Sequence, residues 1–284
     1  MARVAVVTDS TADLPAELRQ ALGIRVVPLN VHFGDEVFKD GVEMTPEGFW
    51  EKLRLSPHHP RTSQPAPGDF LTVYRELEAA GQPICSIHIS ADMSGTLQSA
   101  QIAAEMLGNP GGIELVDSRS VSMGLGLVVL AAARVAQRGA SLPEVAAEAR
   151  AVARRLQILF GVDTLEFLQR NGRIGRAQAL VGGLLNIKPV LQVEDGVVAA
   201  ADKVRGRSRV LPRCLEIMAE RIPPGRKVAA AVLYTTDPDE GRAWLEAFQK
   251  QYQMVESYLA PLGPVVACHA GPGTVGIAMY EVTG

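Results

Sequence analysis

"ICSIHISADMSGTLQSAQIAAEML", Ile84 to Leu107, carries the pattern that decides the fold. A short apolar run, "ICSIHIS", reads as a buried strand. A polar turn follows, and "GTLQSAQIAAEML" then reads as a helix, so strand, turn and helix occupy one β-α unit. The same order recurs on both sides. "RVAVV" (Arg3 to Val7) is a strand followed by a polar turn, Thr8 to Asp13, and by "PAELRQAL", with Pro15 in the first helical turn where its missing N–H is not needed. "IELVDS" is a strand that leads into the long apolar helix "VSMGLGLVVLAAARVAQRG". β-α units in series imply a parallel sheet covered by helices.

Between these units, "IRVVPLNVHF" reads as an extended run in which Pro28 marks an edge or a bulge. "TPEGFWEKLR" is a helix with Thr45 as N-cap and Pro46 at its first position. "RTSQPAPGDF" reads as a loop, and "DFLTVYRELEAAG" as a helix ended by Gly81. Past Ser141 the pattern changes. "LPEVAAEARAVARRL" is a helix that could cross between domains, and "ILFGVDT" opens a new set of strands. In "KPVLQVEDGVVAAADKVRG" two extended runs meet at Asp195-Gly196, a tight-turn pair that favours an antiparallel hairpin. The expected fold class is therefore α/β with two domains. Residues 1–157 should form a three-layer α/β/α domain with a parallel sheet, and residues 158–284 an α+β domain with a mixed sheet.

Composition narrows the function. The 284 residues are 47% apolar and 21% charged, within the range of globular proteins, and the formal charge of −3 gives no general attraction to nucleic acid. The stretch from Leu165 to Arg213 is locally basic, with nine Arg or Lys against four Asp or Glu. Cys85, Cys214 and Cys268 lie far apart, which suggests neither a disulfide framework nor a zinc site, and no metal or cofactor is expected. The first apolar run is too short for a signal-peptide core, and the longest meets Arg134 before it could span a bilayer. A cytoplasmic protein with no stable membrane insertion is expected.

Hydroxyl side chains gather where the strands hand over to helices. If the strands at Arg3, Ile84 and Ile113 are parallel neighbours, Thr8, Ser10, Ser90, Ser94, Thr96 and Ser118 share one rim. Ligands of open α/β sheets collect there, and helix N-termini favour anions. Three readings stand side by side: ordinary helix caps, a nucleophile awaiting its base, or the lining of a pocket for a monoanionic carboxylate. Gly95 would let a ligand approach the backbone closely. No Walker lysine is present, and "GPGTVG" from Gly271 runs into the strand "GTVGIAMYEV" where a dinucleotide fingerprint would open a helix, so neither usual nucleotide site is indicated. Of the histidines, His32 and His88 lie in strand runs and read as packed or partnered. His269 differs: read as ending a strand before a Gly-Pro-Gly turn, it could line a pocket.

Seven blocks, "VTDSTADLP", "VVPLNVHFGDEVFKDG", "TSQPAPGDF", "ISADMSGTLQSA", "LVDSRSVSMGLG", "LEFLQRNGRIGRAQALVGGLLNIKPVL" and "HAGPGTVG", resemble the DegV family in its own order. "RNGRIG" departs from the family at Asn171, where a second glycine is common. The resemblance implies a non-catalytic fatty-acid-binding protein. It implies a carboxylate held by Thr62, Ser63 and Ser94 with His269 nearby, and a partner ATP-dependent fatty acid kinase that makes the acyl phosphate; the strand-end reading adds Gly95 to that site and Ser10, Thr96 and Ser118 as a possible rim. Arg170, Arg173, Lys203, Arg205 and Arg207 form a candidate docking patch for that kinase. Two alternatives remain open: an acyl hydrolase with Ser94 as nucleophile and His269 or His88 as base, or a carrier of another small acid or phosphorylated ligand. "MSGT" lacks the G-x-S-x-G elbow of the common hydrolases.

Overall fold

The computed structural model describes residues 2–109, 111–180, 182 and 186–282. Much of the apolar stretch "ALVGGLL" falls outside them. The chain divides into two compact units, residues 1–154 with 263–265, and residues 155–262 with 266–284.

In the first unit the elements run β1 (Ala5–Asp9), α1 (Ala16–Leu22), β2 (Arg25–Val27), β3 (Asn30–Phe33), β4 (Glu36–Lys39), α2 (Pro46–Leu55), β5 (Arg61–Ser63), α3 (Pro67–Ala79), β6 (Ile84–His88), α4 (Thr96–Leu107), β7 (Ile113–Asp117), α5 (Met123–Gln137) and α6 (Leu142–Arg155). The main sheet has the order β2-β1-β6-β7 and is parallel throughout. Its central strands β1 and β6 are buried along their whole length because helices cover both faces. On one face Phe70, Tyr74 and Leu77 of α3, spaced for one helical stripe, pack with Ala100 and Ala103 of α4 over Ala5, Val7 and Ile84. Helix α5, almost wholly buried, packs on β1 and β6. Gly126 is required there: a Cβ would stand 2.6 Å from the Ala12 carbonyl oxygen and 2.7 Å from Met123 Sδ.

Pro28 divides the run that the sequence presents as continuous. β2 stays in the parallel sheet, while β3 leaves it for a separate antiparallel sheet of order β4-β3-β5. β5 lies in the segment expected to be a loop: Arg61, Thr62 and Ser63 pair with His32, Val31 and Asn30. Thr45 caps α2 as expected, its Oγ1 accepting from Gly48 N at 3.1 Å.

The second unit contains β8 (Gln157–Gly161), α7 (Glu166–Arg170), β9 (Ile187–Glu194), β10 (Val197–Arg205), α8 (Val210–Arg221), β11 (Lys227–Tyr234), α9 (Pro238–Gln249), β12 (Gln253–Pro261), α10 (Pro264–Ala270, which starts in the first unit) and β13 (Val275–Glu281). Its mixed sheet has the order β10-β9-β8-β13-β11-β12, antiparallel except for the β11–β12 pair. Val210, Cys214, Ile217 and Met218 of α8, with Trp244 and Phe248 of α9, cover Leu159, Val228, Val232 and Ile277. The β9–β10 hairpin turns at Asp195 (φ 50°) and Gly196 (φ 81°), both positive as the tight turn requires.

Candidate functional site

Because β1, β6 and β7 are parallel, their carboxyl ends at Asp9, His88 and Asp117 open on the same rim, and the hydroxyl-rich loops start there. The buried Asp9 carboxylate organises two of those loops. Its Oδ1 accepts from Thr11 N at 3.1 Å in the first loop. Its Oδ2 accepts from Ile89 N at 3.0 Å in the second and lies 2.9 Å from His88 Nδ1. His88 Nε2 is 2.7 Å from Ser86 Oγ, which also accepts from Tyr74 OH at 2.8 Å. With Tyr74 donating, Ser86 donates its own O–H to Nε2 and the ring carries its hydrogen on Nδ1, toward Asp9. Tyr74, Ser86, His88 and Asp9 are all fully buried.

Beyond Ile89 the backbone folds into a tight turn. Ser90 N donates to Ser120 O at 2.9 Å, and both Met93 N and Ser94 N donate to Ser90 O at 3.0 Å. This turn presents the half-buried Ser94. Its Oγ lies 2.8 Å from Thr96 Oγ1 and accepts from Thr96 N at 3.3 Å. Either hydroxyl can donate in this pair, and the arrangement with Thr96 donating is the one that satisfies the fully buried Thr96 O–H. Ser94 then accepts two donors and keeps its own proton for an outside acceptor. Thr96 supports Ser94 rather than facing the rim.

The "TSQP" segment comes against this turn through Gln64, a residue the sequence reading did not single out. A Cβ on Gly95 would stand 2.6 Å from Gln64 Nε2, so the glycine makes room for that amide. Only its place between Ser63 and Pro65 in a quoted block could have marked it. Thr62 and Ser63 are consecutive in β5 and project to opposite faces. Thr62 shares a face with the buried Val31. Ser63 shares the other with Asn30 and His32: Asn30 Nδ2 donates to its Oγ at 3.0 Å, and His32 Nε2 lies at 2.9 Å.

Two rim candidates hold backbone. Ser10 Oγ accepts from Leu29 N at 3.0 Å, and Ser118 Oγ accepts from Ser120 N at 3.2 Å and donates weakly to Ser120 O at 3.4 Å. Beside Ser10 sit two acids, Asp13 and Asp40. Ser122 Oγ donates to Asp13 Oδ2 at 2.5 Å from a backbone at φ 57°, ψ −148°, a conformation that is unusual outside glycine. Burial, opposed by the Ser122 hydroxyl, raises the Asp13 carboxyl well above the ordinary aspartate range. Burial likewise pushes Asp40 up to about 6. The Ser10 hydroxyl and the Val265 N–H offset part of this, although neither meets strict hydrogen-bond geometry with Asp40.

In the second unit His269 does not end a strand. It occupies the last turn of α10, a helix that Pro264 starts and Ala267 and Ala270 favour despite the β-branched pair Val265-Val266. Among the basic residues, Arg207 is held by Glu240 through Nε at 3.1 Å and Nη2 at 2.8 Å. Arg170 pairs with Glu166 on α7. Arg173 is exposed and donates to Asn171 O at 2.8 Å, while Lys203 and Arg205 project from one face of β10. A cavity of about 640 Å³ within this unit is lined by Leu165, Leu180, Ile187 and Pro189 with Asp163 and Lys203, among others. None of Thr62, Ser63, Ser94, Gly95 and His269 lines it. Among the described residues no cluster of His, Cys, Asp and Glu could hold a metal ion, and no helix is long and apolar enough to cross a membrane.

Known proteins share this architecture. A family model described as "Uncharacterised protein, DegV family" matches residues 3–282. A DegV domain-containing protein of Deinococcus radiodurans is 40% identical over 280 residues, 99% of each chain. Protein DegV of Bacillus subtilis is 34% identical over 275 residues, covering 96% of this chain and 98% of its own. Among solved structures, a Thermus thermophilus DegV family protein, described for its fatty acid binding, superposes with a TM-score of 0.93 at 41% identity, covering 99% of this chain and all of that one. The Bacillus subtilis DegV structure, described as a fatty acid binding protein, gives 0.88 at 32% identity over 99% of this chain and all of that one. The α/β architecture with one parallel and one mixed sheet is that of these proteins, and the chain belongs to the DegV family.

Proposed function

We propose that this protein binds a long-chain fatty acid and presents its carboxylate to a partner kinase for phosphorylation to the acyl phosphate. The observation that carries the binding half is the half-buried Ser94, whose hydroxyl pairs with that of the buried Thr96; with Thr96 donating, the Ser94 proton is left for an anion. DegV proteins that bind fatty acids and share this fold support the same reading. Thr62 is the second proposed donor, and the Ser94-Gly95 turn supplies the close approach. Ser63 fits a supporting role, holding β5 to Asn30 and His32. Uncharged donors suit a single ionised carboxylate, while the tail, at about 0.8 kcal/mol per buried CH₂, supplies most of the affinity. The phosphoryl donor belongs to the partner, so the chain itself needs no catalytic base.

Mass spectrometry of the purified protein should find a co-purifying long-chain acid, and a different small acid or phosphorylated ligand would replace the fatty-acid reading. Each hydroxyl removed, Ser94→Ala or Thr62→Ala, should weaken acid binding by about ten- to a hundredfold, the range for a hydrogen bond to a charged group. A double variant that retains the acid undiminished refutes the site. His269, implicated by the family resemblance, is tested in the same assay as His269→Ala. For the kinase half, Arg173 and Arg205 are exposed positions of the proposed docking patch. Arg173→Glu and Arg205→Glu should abolish capture of the kinase from the same organism, and unaltered capture refutes the patch.

A further inference from the structure

The Asp9–His88–Ser86 chain has the connectivity of a catalytic triad, with a carboxylate on Nδ1 and a serine hydroxyl on Nε2. Yet its serine is fully buried, accepts from Tyr74, and sits in the core beneath the rim. The ring of His88 is wedged edge-on against Phe70, their centroids 5.0 Å apart. No substrate carbonyl can reach Ser86 in this arrangement, so the chain needs another role.

We infer that Asp9 is a positioning residue for the carboxylate-binding turn: through Ile89 N and His88 Nδ1 it fixes the start of the 89–95 loop, and so the place where Ser94 presents its hydroxyl. This inference rests on the binding role proposed for Ser94. Asp9 stands at the carboxyl end of β1, and Ile89 is the first residue beyond β6. The same carboxylate accepts from Thr11, which ties the loop carrying Ser10 to the loop carrying Ser94. The His88 ring is the second strut, held in one orientation by Ser86 and Phe70. Groups that touch a ligand keep productive geometry only when the residues behind them are locked by hydrogen bonds and packing. Asparagine at position 9 has one acceptor oxygen, so its NH₂ group must face either the Thr11 donor or the Ile89 and His88 donors, and one side of the link between the two loops is lost.

The test compares Asp9→Asn with the parent for two ligands of equal chain length, an ionised fatty acid and its uncharged methyl ester. A positioning role predicts loss of acid affinity by about ten- to a hundredfold, the scale seen when supporting partners of a binding group are removed, with ester affinity unchanged. The ¹⁵N shifts of His88 should report Nδ1–H, the tautomer that donates to Asp9, in the parent. Equal losses for acid and ester, or acid affinity that matches the parent, overturn the inference. If Asp9→Asn does not fold, His88→Phe keeps the ring volume against Phe70 and withdraws the Nδ1 donor; the same selective loss is expected, and its absence overturns the inference. Ser94→Ala run alongside separates the two levels. If it too leaves acid binding intact, the carboxylate site itself fails; if it weakens binding while Asp9→Asn does not, only the role of Asp9 falls.

Discussion

Replacing Asp40 with asparagine should change how stability depends on pH more than it changes the structure. Asp40 is 3% exposed, and burial pushes its carboxyl from 3.8 up to about 6. The folded protein therefore holds this proton over a range where the unfolded chain has lost it. Between about pH 4 and pH 6 the folded state binds more protons, so stability falls as pH rises, and the full penalty is present above about pH 6. A gap of roughly two pKa units at 1.36 kcal/mol each amounts to about 3 kcal/mol, a substantial part of a stability of about 5–15 kcal/mol. The asparagine amide mimics the protonated acid and carries no charge at any pH in this window. Nearby Asp9 adds to the rise of Asp40. Asp13, itself raised in part by Asp40, should be relieved in the variant.

The first unit can be followed by itself. Cys85 is buried in β6, with its thiol pushed up to about 12, while Cys214 and Cys268 belong to the second unit. Pulses of a pyridyl disulfide, which reacts with thiols in acid as well as at neutral pH, across a urea series would report unfolding peptide by peptide. The stability of Asp40→Asn relative to the parent at Cys85 should rise by about 3 kcal/mol from pH 4 to pH 7. Parallel curves for the two proteins across that range would refute the assignment of a buried, proton-holding Asp40.

Gly126→Ala should destabilise the first unit by about 1–3 kcal/mol in a denaturant titration despite alanine's better helix propensity, because the new Cβ meets the Ala12 carbonyl at 2.6 Å. Thr45→Ala should cost about 1 kcal/mol through loss of the α2 cap, and a change below about 0.3 kcal/mol would show the cap to be dispensable. Gly175→Ala faces both a positive φ of 52° and a clash with the Val198 carbonyl, so labelling of Cys214 should accelerate well before that of Cys85. Gly95→Ala has ordinary backbone angles and displaces only the end of Gln64. It should leave the unfolding midpoint near the parent's while weakening acid binding.

The fold was legible where local chemistry and tertiary structure agree. Ile84–Leu107 declares its strand, turn and helix through composition alone, and Asp195-Gly196 declares its turn because few other pairs accept two positive φ values. Thr45 and Pro46 mark a helix start by the hydrogen-bonding needs of its first turn. Where tertiary context decides, the pattern misled. Arg61–Ser63 carries turn-forming neighbours yet becomes a strand because β3 offers an open edge. The run before His269 has the β-branched look of a strand and folds as a helix. The Asp9–His88 contact joins residues 79 positions apart, and no local pattern encodes it. The burial of Asp13 and Asp40 is hidden from the sequence for the same reason.

That buried chain also bears on the binding role proposed for a rim so rich in serine. A serine nucleophile needs a base within hydrogen-bond reach and an approach for the acyl carbon. In the first unit the two requirements are met by different residues. Ser86 has its histidine and aspartate but is sealed in the core, while the partners found for Ser94 Oγ are the hydroxyl and N–H of Thr96. Thr96 can hand Ser94 a proton but cannot remove one at neutral pH, so Ser94 is built as a donor. A donor with satisfied acceptor sites stabilises an anion already formed, as the proposed binding of a carboxylate requires. Moving the histidine to Ser94, or opening the core to Ser86, would be required to change that chemistry, and each would dismantle the Asp9 linkage that holds the turn in place.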